Sequence, residues 1–257
     1  TLKGQPATEA DARTLLGRTF ESLGKVDDAV KELQRAAALR EKGAGANTRA
    51  HAETMSSLGA AFTARGDYPA AIEAHEQALR ILGGLGPEHL PFQITELELI
   101  ATANQALSHF DEAARALDRA TALAERTTTG GRARTRAGLL IIRARLVKDW
   151  KGDVAQAESL NAVAVGFMRQ TGDSTLIADA LNSLAISKME NQKLDEAISL
   201  YEEALAIRRR VYGDVHQITA QVLENLANAW YGKQEYARSL ALLDEVRRIR
   251  ETLFGPA

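Results

Sequence analysis

A small side chain returns on a fixed beat along this sequence. Ala29, Ala71, Ala113, Ala157, Ala197 and Ser239 are separated by 42, 42, 44, 40 and 42 residues, so the two irregular steps cancel and the register survives the length of the chain. A period of tens of residues marks a stacked solenoid, in which one unit cannot bury its apolar face alone and does so against the next copy. The beat restricts the architecture more than any single residue does. It leaves the ligand unnamed.

The second copy is the cleanest. Leu58, Gly59 and Phe62 share one helical face, and Ala71, His75 and Ala78 follow at i, i+4 and i+7. Two amphipathic helices are implied, joined by Arg65-Gly66-Asp67-Tyr68-Pro69. Gly66 can end the first helix at positive φ, and Pro69 suits the first turn of the second. Acidic residues recur at the same place as Asp27-Asp28, Asp111-Glu112 and Asp195-Glu196, where they complement the positive end of a helix dipole. Each unit therefore reads as an antiparallel helical hairpin.

The spacing Leu58-Gly59, Phe62, Gly66, Tyr68, Ala71, Ala78 resembles the tetratricopeptide repeat. So do Leu16-Gly17, Phe20, Gly24, Ala29, Leu33 and Ala36, then Leu184-Ala185 with Ala197, Tyr201 and Ala204, and Leu226-Ala227 with Trp230 and Tyr236. The extra length of the 42-residue period lies after the second helix, in Gly86-Pro87-Glu88-His89 and Tyr212-Gly213-Asp214-Val215-His216. With Ala204 to Ile207 before and Leu223 to Ala227 after, this looks like the kinesin light chain variety of the repeat. The resemblance implies an all-α, right-handed α-solenoid of about six hairpins and a binding role, not a motor. The expected repeats are about 10–42, 52–84, 94–126, 138–170, 178–211 and 220–253, one array across residues 1–257.

The fourth copy fits worst. Aligning Gly152 with Gly66 keeps Ala157 and Ala164 in register but puts Ala144, Arg145 and Lys148 at the first-helix signature positions. The segment is basic, with Arg132, Arg134, Arg136, Arg143, Arg145, Lys148 and Lys151 around a single Asp149. Arg132, Arg136 and Arg143 fall near one helical stripe. Charge runs are commonly solvated faces; the sharper reading of Arg132, Arg136, Arg145 and Lys148 is a docking strip for an acidic or phosphorylated partner. Thr127 to Gly131 just before it reads as a connecting loop, without the order of a phosphate-binding loop. Gly43-Ala44-Gly45 follows a helix and not a strand, which argues against a dinucleotide site.

Composition excludes several classes. A net charge of −2 and a pI near 6.2 give no global attraction to nucleic acid or an anionic membrane. The chain has no cysteine, so disulfides and thiolate metal sites are out. No run approaches the 18 apolar residues of a spanning helix. The five histidines, His51, His75, His89, His109 and His216, show no metal-ligand spacing; His75 reads as a packed core residue, and His89 and His216 as linker pins. No nucleophile elbow or paired-carboxylate signature is present. The expectation is a protein without catalysis, cofactor or metal. The start at Thr1 without an apolar leader reads as a cytoplasmic protein or a piece of a longer one.

In the family, the first helices line a concave groove. The resemblance carries this to Gln221, Glu224, Asn225, Asn228, Tyr231 and Gly232 in the sixth unit and to Asp179, Asn182, Ser183, Ile186, Met189 and Glu190 in the fifth. Asn225 matches the asparagine that kinesin-light-chain-like repeats use on an extended peptide backbone, and an amide both donates and accepts. Arg18, Ser57, Thr102 and Arg143 are further groove candidates. Thr14, Arg18, Ser56, Ser57, Thr95 and Leu99 do not complete a chaperone-type carboxylate clamp. For each groove residue the plain alternative is a solvated helix surface. Arg208-Arg209-Arg210 and Arg247-Arg248-Arg250 close second helices and read as structural. Leu253-Phe254-Gly255-Pro256 resembles another linker, as does Leu2 to Pro6, so the expectation is an array cut from a longer protein or one whose ends a partner covers. Three readings result: a scaffold for a peptide or protein segment, the sensory array of a multidomain signalling protein, or a solenoid that self-associates through uncapped ends.

Overall fold

The computed structural model describes residues 5–42, 45–127 and 131–255. These form six helical hairpins: α1 (Pro6–Ser22) with α2 (Val26–Glu41), α3 (Arg49–Arg65) with α4 (Tyr68–Gly83), α5 (Leu90–Ala106) with α6 (Phe110–Arg126), α7 (Arg132–Lys151) with α8 (Val154–Thr171), α9 (Ser174–Glu190) with α10 (Leu194–Tyr212), and α11 (Gln217–Gly232) with α12 (Tyr236–Phe254). No strand occurs among the described residues. The loop-like Gly43-Ala44 and Thr128 to Gly130, and the linker-like Leu2 to Gly4 and Pro256, lie outside the described residues. The chain divides into two compact units, Thr1–Thr128 and Thr129–Ala257. Within each unit the two helices of a hairpin pack together, and each second helix packs on the first helix of the next hairpin.

The beat is a packing register. Ala29, Ala71, Ala113, Ala157, Ala197 and Ser239 are all buried, and so, two turns on, are Ala36, Ala78, Ala120, Ala164 and Ala204. Small residues there let the two helices of a hairpin approach closely. The first helix contributes from its side. A Cβ on Gly59 would stand 2.5 Å from His75 Nε2, and one on Gly17 2.6 Å from Leu33 Cγ. Four residues after the beat Leu33, His75, Leu117 and Tyr201 fill the space left, each fully buried. His75 is thus a core residue, with Nδ1 2.8 Å from Glu96 Oε2 of the following hairpin.

The turns keep the same beat. Gly24, Gly66, Ser108, Gly152, Gln192 and Gln234 all have positive φ, from 59 to 81°, and their spacing is again 42, 42, 44, 40 and 42 residues. At five of the six, the next residue's N–H reaches back five residues: Lys25 to Phe20, Asp67 to Phe62, His109 to Asn104, Lys193 to Lys188 and Glu235 to Trp230. That bond with a left-handed residue beneath it is the helix-stopping geometry of a Schellman turn. The second helix then starts at once. Asp67 and Asp153 cap α4 and α8 by accepting from Ala70 and Gln156 N–H. His216 caps α11, its Nδ1 accepting from Ile218 N–H at 3.1 Å while its ring stacks on Tyr212.

Two faces depart from the register. On α12, Leu243 occupies the place of Leu33, His75, Leu117 and Tyr201 but is 39% exposed, and Tyr236 and Leu240 on the same stripe are more exposed still. On α8, Glu158 and Asn161 stand where α10 has the buried pair Ile198 and Tyr201. The second departure shapes the site.

Candidate functional site

In the second unit the first helices α7, α9 and α11 touch in succession, α7 on α9 and α9 on α11. These helices carry the groove residues predicted in the fifth and sixth copies. Asn182 and Asn225 meet there: Asn225 Nδ2 donates to Asn182 Oδ1 at 2.9 Å, joining α11 to α9 across 43 residues of sequence. The bond uses one N–H of Asn225 and one lone pair of Asn182, so the Asn182 NH2 and the Asn225 carbonyl oxygen keep their capacity to donate and accept. Asn228 and Gln221 are exposed on α11. Tyr231 is exposed too, its ring edge-on to Tyr236 at 5.3 Å. Asp179 is engaged from within its own hairpin by the buried Arg208, and the same pair occurs four repeats earlier as Asp11 and Arg40. Arg208 therefore serves the fold.

Arg18 belongs to the first unit, where its Nε donates to Ser57 Oγ at 2.8 Å, pairing two groove candidates across α1 and α3. Thr102 turns its hydroxyl back to the Glu98 carbonyl of its own helix.

The basic residues of α7 do not form one strip. Arg136 lies over the Phe167 ring of α8 at 5.7 Å. Arg145 follows it by nine residues, about two and a half turns of helix, and so leaves the opposite side. Arg145 and Lys148 face α9, where Lys148 Nζ pairs with Glu190 at 2.9 Å. Arg132, Arg136 and Arg143 are half-buried, and Arg143 stands at the register position of Ser57 and Asn225. The expected strip of Arg132, Arg136, Arg145 and Lys148 is therefore split, Arg136 reaching α8 of its own hairpin and Arg145 and Lys148 lining the space toward α9.

Between α7 and α9 lies a cleft of about 280 Å³. Ile141, Ile142 and Ile186 supply its apolar walls, Arg145, Lys148 and Glu190 its charged rim, and Asn161 of α8 with Ser187 its polar floor. The fourth copy opens it by being undersized. Ala144 and Lys148 stand where the second copy has Leu58 and Phe62, and Asn161 where it has His75. Sequence reasoning placed Arg145 and Lys148 in a basic strip and passed over Asn161. The signal was there, since a series of large residues at 33, 75, 117 and 201 breaks at 161.

A second polar contact braces the floor. Glu158, one turn before Asn161, accepts from Asn191 at 2.6 Å and pairs with Lys188 at 2.7 Å and Lys193 at 2.8 Å. Burial by itself raises its carboxyl, but the hydrogen bonds from Asn191, Lys188 and Lys193 outweigh it and hold the group at about 2. The junction of α8 and α9 is thus sealed by charge where its register mates use hydrocarbon.

Among the described residues no cluster of three or more His, Asp or Glu could hold a metal. No helix there is long and apolar enough to cross a membrane.

The hairpins and their shared first-helix face define an α-helical repeat protein. A tetratricopeptide repeat model matches residues 8–83 and 176–252, and the chain belongs to the tetratricopeptide repeat family. It is 24% identical over 260 residues to Protein KINESIN LIGHT CHAIN-RELATED 3 of Arabidopsis thaliana, covering 99% of this chain and 39% of that protein. The chain thus spans about two-fifths of that curated relative's length. Among solved structures it is similar to BtubC (BKLC) from P. vanneervenii, with a TM-score of 0.66 at 20% identity over 91% of each chain. It is also similar to a Rap protein complexed with Competence and Sporulation Factor, with a TM-score of 0.63 at 14% identity over 95% of this chain and 76% of that one. At these identities the likeness to solved structures is one of fold.

Proposed function

We propose that this chain is a non-catalytic interaction scaffold that holds an extended peptide segment along α7, α9 and α11. The observation that carries this reading is the hydrogen bond between Asn182 and Asn225. It presets two carboxamides on neighbouring first helices, with one donor side and one acceptor side left for a main chain. A peptide backbone offers that alternation whatever its side chains, so the pair would grip a chain without dictating its sequence. Asn228, exposed one turn beyond Asn225, extends the row, and Gln221 and Tyr231 flank it.

The test is a displayed library of random linear peptides selected on the wild type and on an Asn182/Asn225/Asn228 triple alanine variant of matched melting temperature. Peptides should enrich on the wild type and bind the variant at least about tenfold more weakly, the effect of one or two lost hydrogen bonds. Equal retention by both proteins would remove the asparagine row as the site.

The exposed stripe of Tyr236, Leu240 and Leu243 on α12 supports a second reading, self-association through that face. Light scattering against concentration should then show growth that a Leu240→Glu/Leu243→Glu variant abolishes. A wild type that keeps monomer mass at high concentration excludes it.

A further inference from the structure

We propose that the cavity between α4 and α6 in the first unit is a ligand site for an aliphatic monocarboxylate. It shares no residue with the peptide groove and depends on nothing in that reading.

The repeat register points to a missing charge. Five of the six second helices carry a charged residue seventeen positions after the turn residue: Glu41, Glu125, Arg169, Arg209 and Glu251. Where its partner is charged too, it reaches the residue eleven positions after the next turn, on the following second helix. Arg169 pairs in this way with Glu203 at 3.0 Å, and Arg209 with Glu245 at 2.6 Å. Glu41 and Gln77 hold the same two positions and line one cavity. In the second copy the first position is Gly83, and the residue across from it is Arg119. Gly83 and Arg119 line a common cavity, and a Cβ on Gly83 would meet nothing within 4 Å. Arg119 makes no hydrogen bond or ion pair with a described residue. Exposed arginines are ordinarily satisfied by water; Arg119 differs in standing at a salt-bridge position whose other half is a glycine.

The space left is the size of a small-molecule site. It measures about 560 Å³, within the usual range of about 300 to 1,000 Å³. Leu79 of α4, Leu97 of α5 and Leu123 of α6 form its apolar walls, and Leu97 is fully buried. These walls take a hydrocarbon body. Gln93, also in the lining, donates Nε2 to the Leu82 carbonyl at 3.3 Å and so occupies an oxygen at the end of α4 that would repel an anion.

Charge selects the head group. Two guanidinium groups, Arg80 and Arg119, line the cavity against one carboxylate, Glu76. Glu76 stands 4.0 Å from Arg80, which leaves one positive charge in excess. A singly charged carboxylate balances it and can take two parallel N–H bonds from Arg119. An ammonium adds to the excess. A phosphate brings a second negative charge toward Glu76, and an alcohol leaves the excess as it was.

Hexanoate, N-acetylleucine, hexylammonium and hexanol serve as probes, read by the methyl resonances of Leu79, Leu97 and Leu123 in the whole chain. Both carboxylates should shift them saturably, with hexylammonium and hexanol at least about tenfold weaker, the difference that one charge-assisted hydrogen bond makes. The tighter carboxylate tells a free aliphatic acid from the end of a peptide chain, and either order supports the site. Arg119→Gln should weaken both carboxylates at least about tenfold and leave hexanol and the melting temperature unchanged. Gly83→Glu puts back the residue type of positions 41 and 125 and should abolish binding by supplying the anion from within the chain. The proposal is overturned if neither carboxylate shifts the three leucines, if all four probes act alike, or if Arg119→Gln or Gly83→Glu binds the carboxylates as the wild type does.

Discussion

The turn residues show how little a single position need be optimal when the register around it is strong. Ser108, Gln192 and Gln234 sit at φ of 59, 61 and 64°, in a region where a Cβ is disfavoured by about 1 to 2 kcal/mol. Gly24, Gly66 and Gly152 avoid that strain at the equivalent turns. Ser108→Gly, Gln192→Gly and Gln234→Gly should each stabilise by about 0.5 kcal/mol, once the extra freedom of glycine in the unfolded chain is subtracted. Chemical denaturation at matched m-value checks this, and a fall in midpoint for all three would contradict it. Two carboxylates make opposite pH predictions. Glu158 is held at about 2 in the fold, against 4.5 for the ordinary group, so its contribution is complete above about pH 4.5 and drains away toward pH 2. The advantage of wild type over Glu158→Gln should shrink across that window. Burial pushes Glu98 up to about 7, so what it contributes at low pH is lost between about 4.5 and 7 as the buried carboxyl ionises. Glu98→Gln should therefore gain on wild type as pH rises through that range, measured as the difference in urea midpoint.

At the scale of the element, a hairpin is set by three local facts: a left-handed turn residue, a small residue five positions later, and a large one four beyond that. Gly66, Ala71 and His75 are the example, and all three roles were legible in the sequence because each depends on residues within a few turns of one another. The close approach is testable. Gly59→Ala places a methyl group into the His75 ring, and overpacking of this kind costs about 1 to 3 kcal/mol. A variant with an unchanged midpoint would show that the α3 and α4 seam yields more readily than its spacing implies. The cleft was not legible in the same way. It is missing volume, and it depends on Ala144, Asn161 and Ser187 from three helices meeting around one point. The basic run was half legible. Helical arithmetic groups Arg132, Arg136 and Arg143, but which neighbour each side of α7 meets is decided by α8 and α9.

At the scale of the molecule, the two compact units each enclose their own apolar core, one around Leu33, Leu58 and Phe62 and the other around Leu181, Tyr201 and Leu223. Because each repeat draws its stability from its neighbours, three hairpins with a private core should suffice. Separate fragments 1–128 and 129–257 should each fold, with cooperative melts by circular dichroism. A fragment that stays unfolded until the other is added would refute the division.

The sequence alone determined the number of hairpins and the register of their small residues and glycine turns, because periodicity and turn geometry act over short stretches of chain, while the placing of Asn182 and Asn225 on a first-helix face came from the family resemblance. Only the tertiary structure decided that those two asparagines bond to each other, that Arg136 of α7 reaches α8 while Arg145 and Lys148 line the space toward α9, and that an undersized fourth copy leaves a polar-floored cleft. Each of these depends on distances between helices tens of residues apart, and a one-dimensional register specifies which residues face inward without specifying what space remains between them.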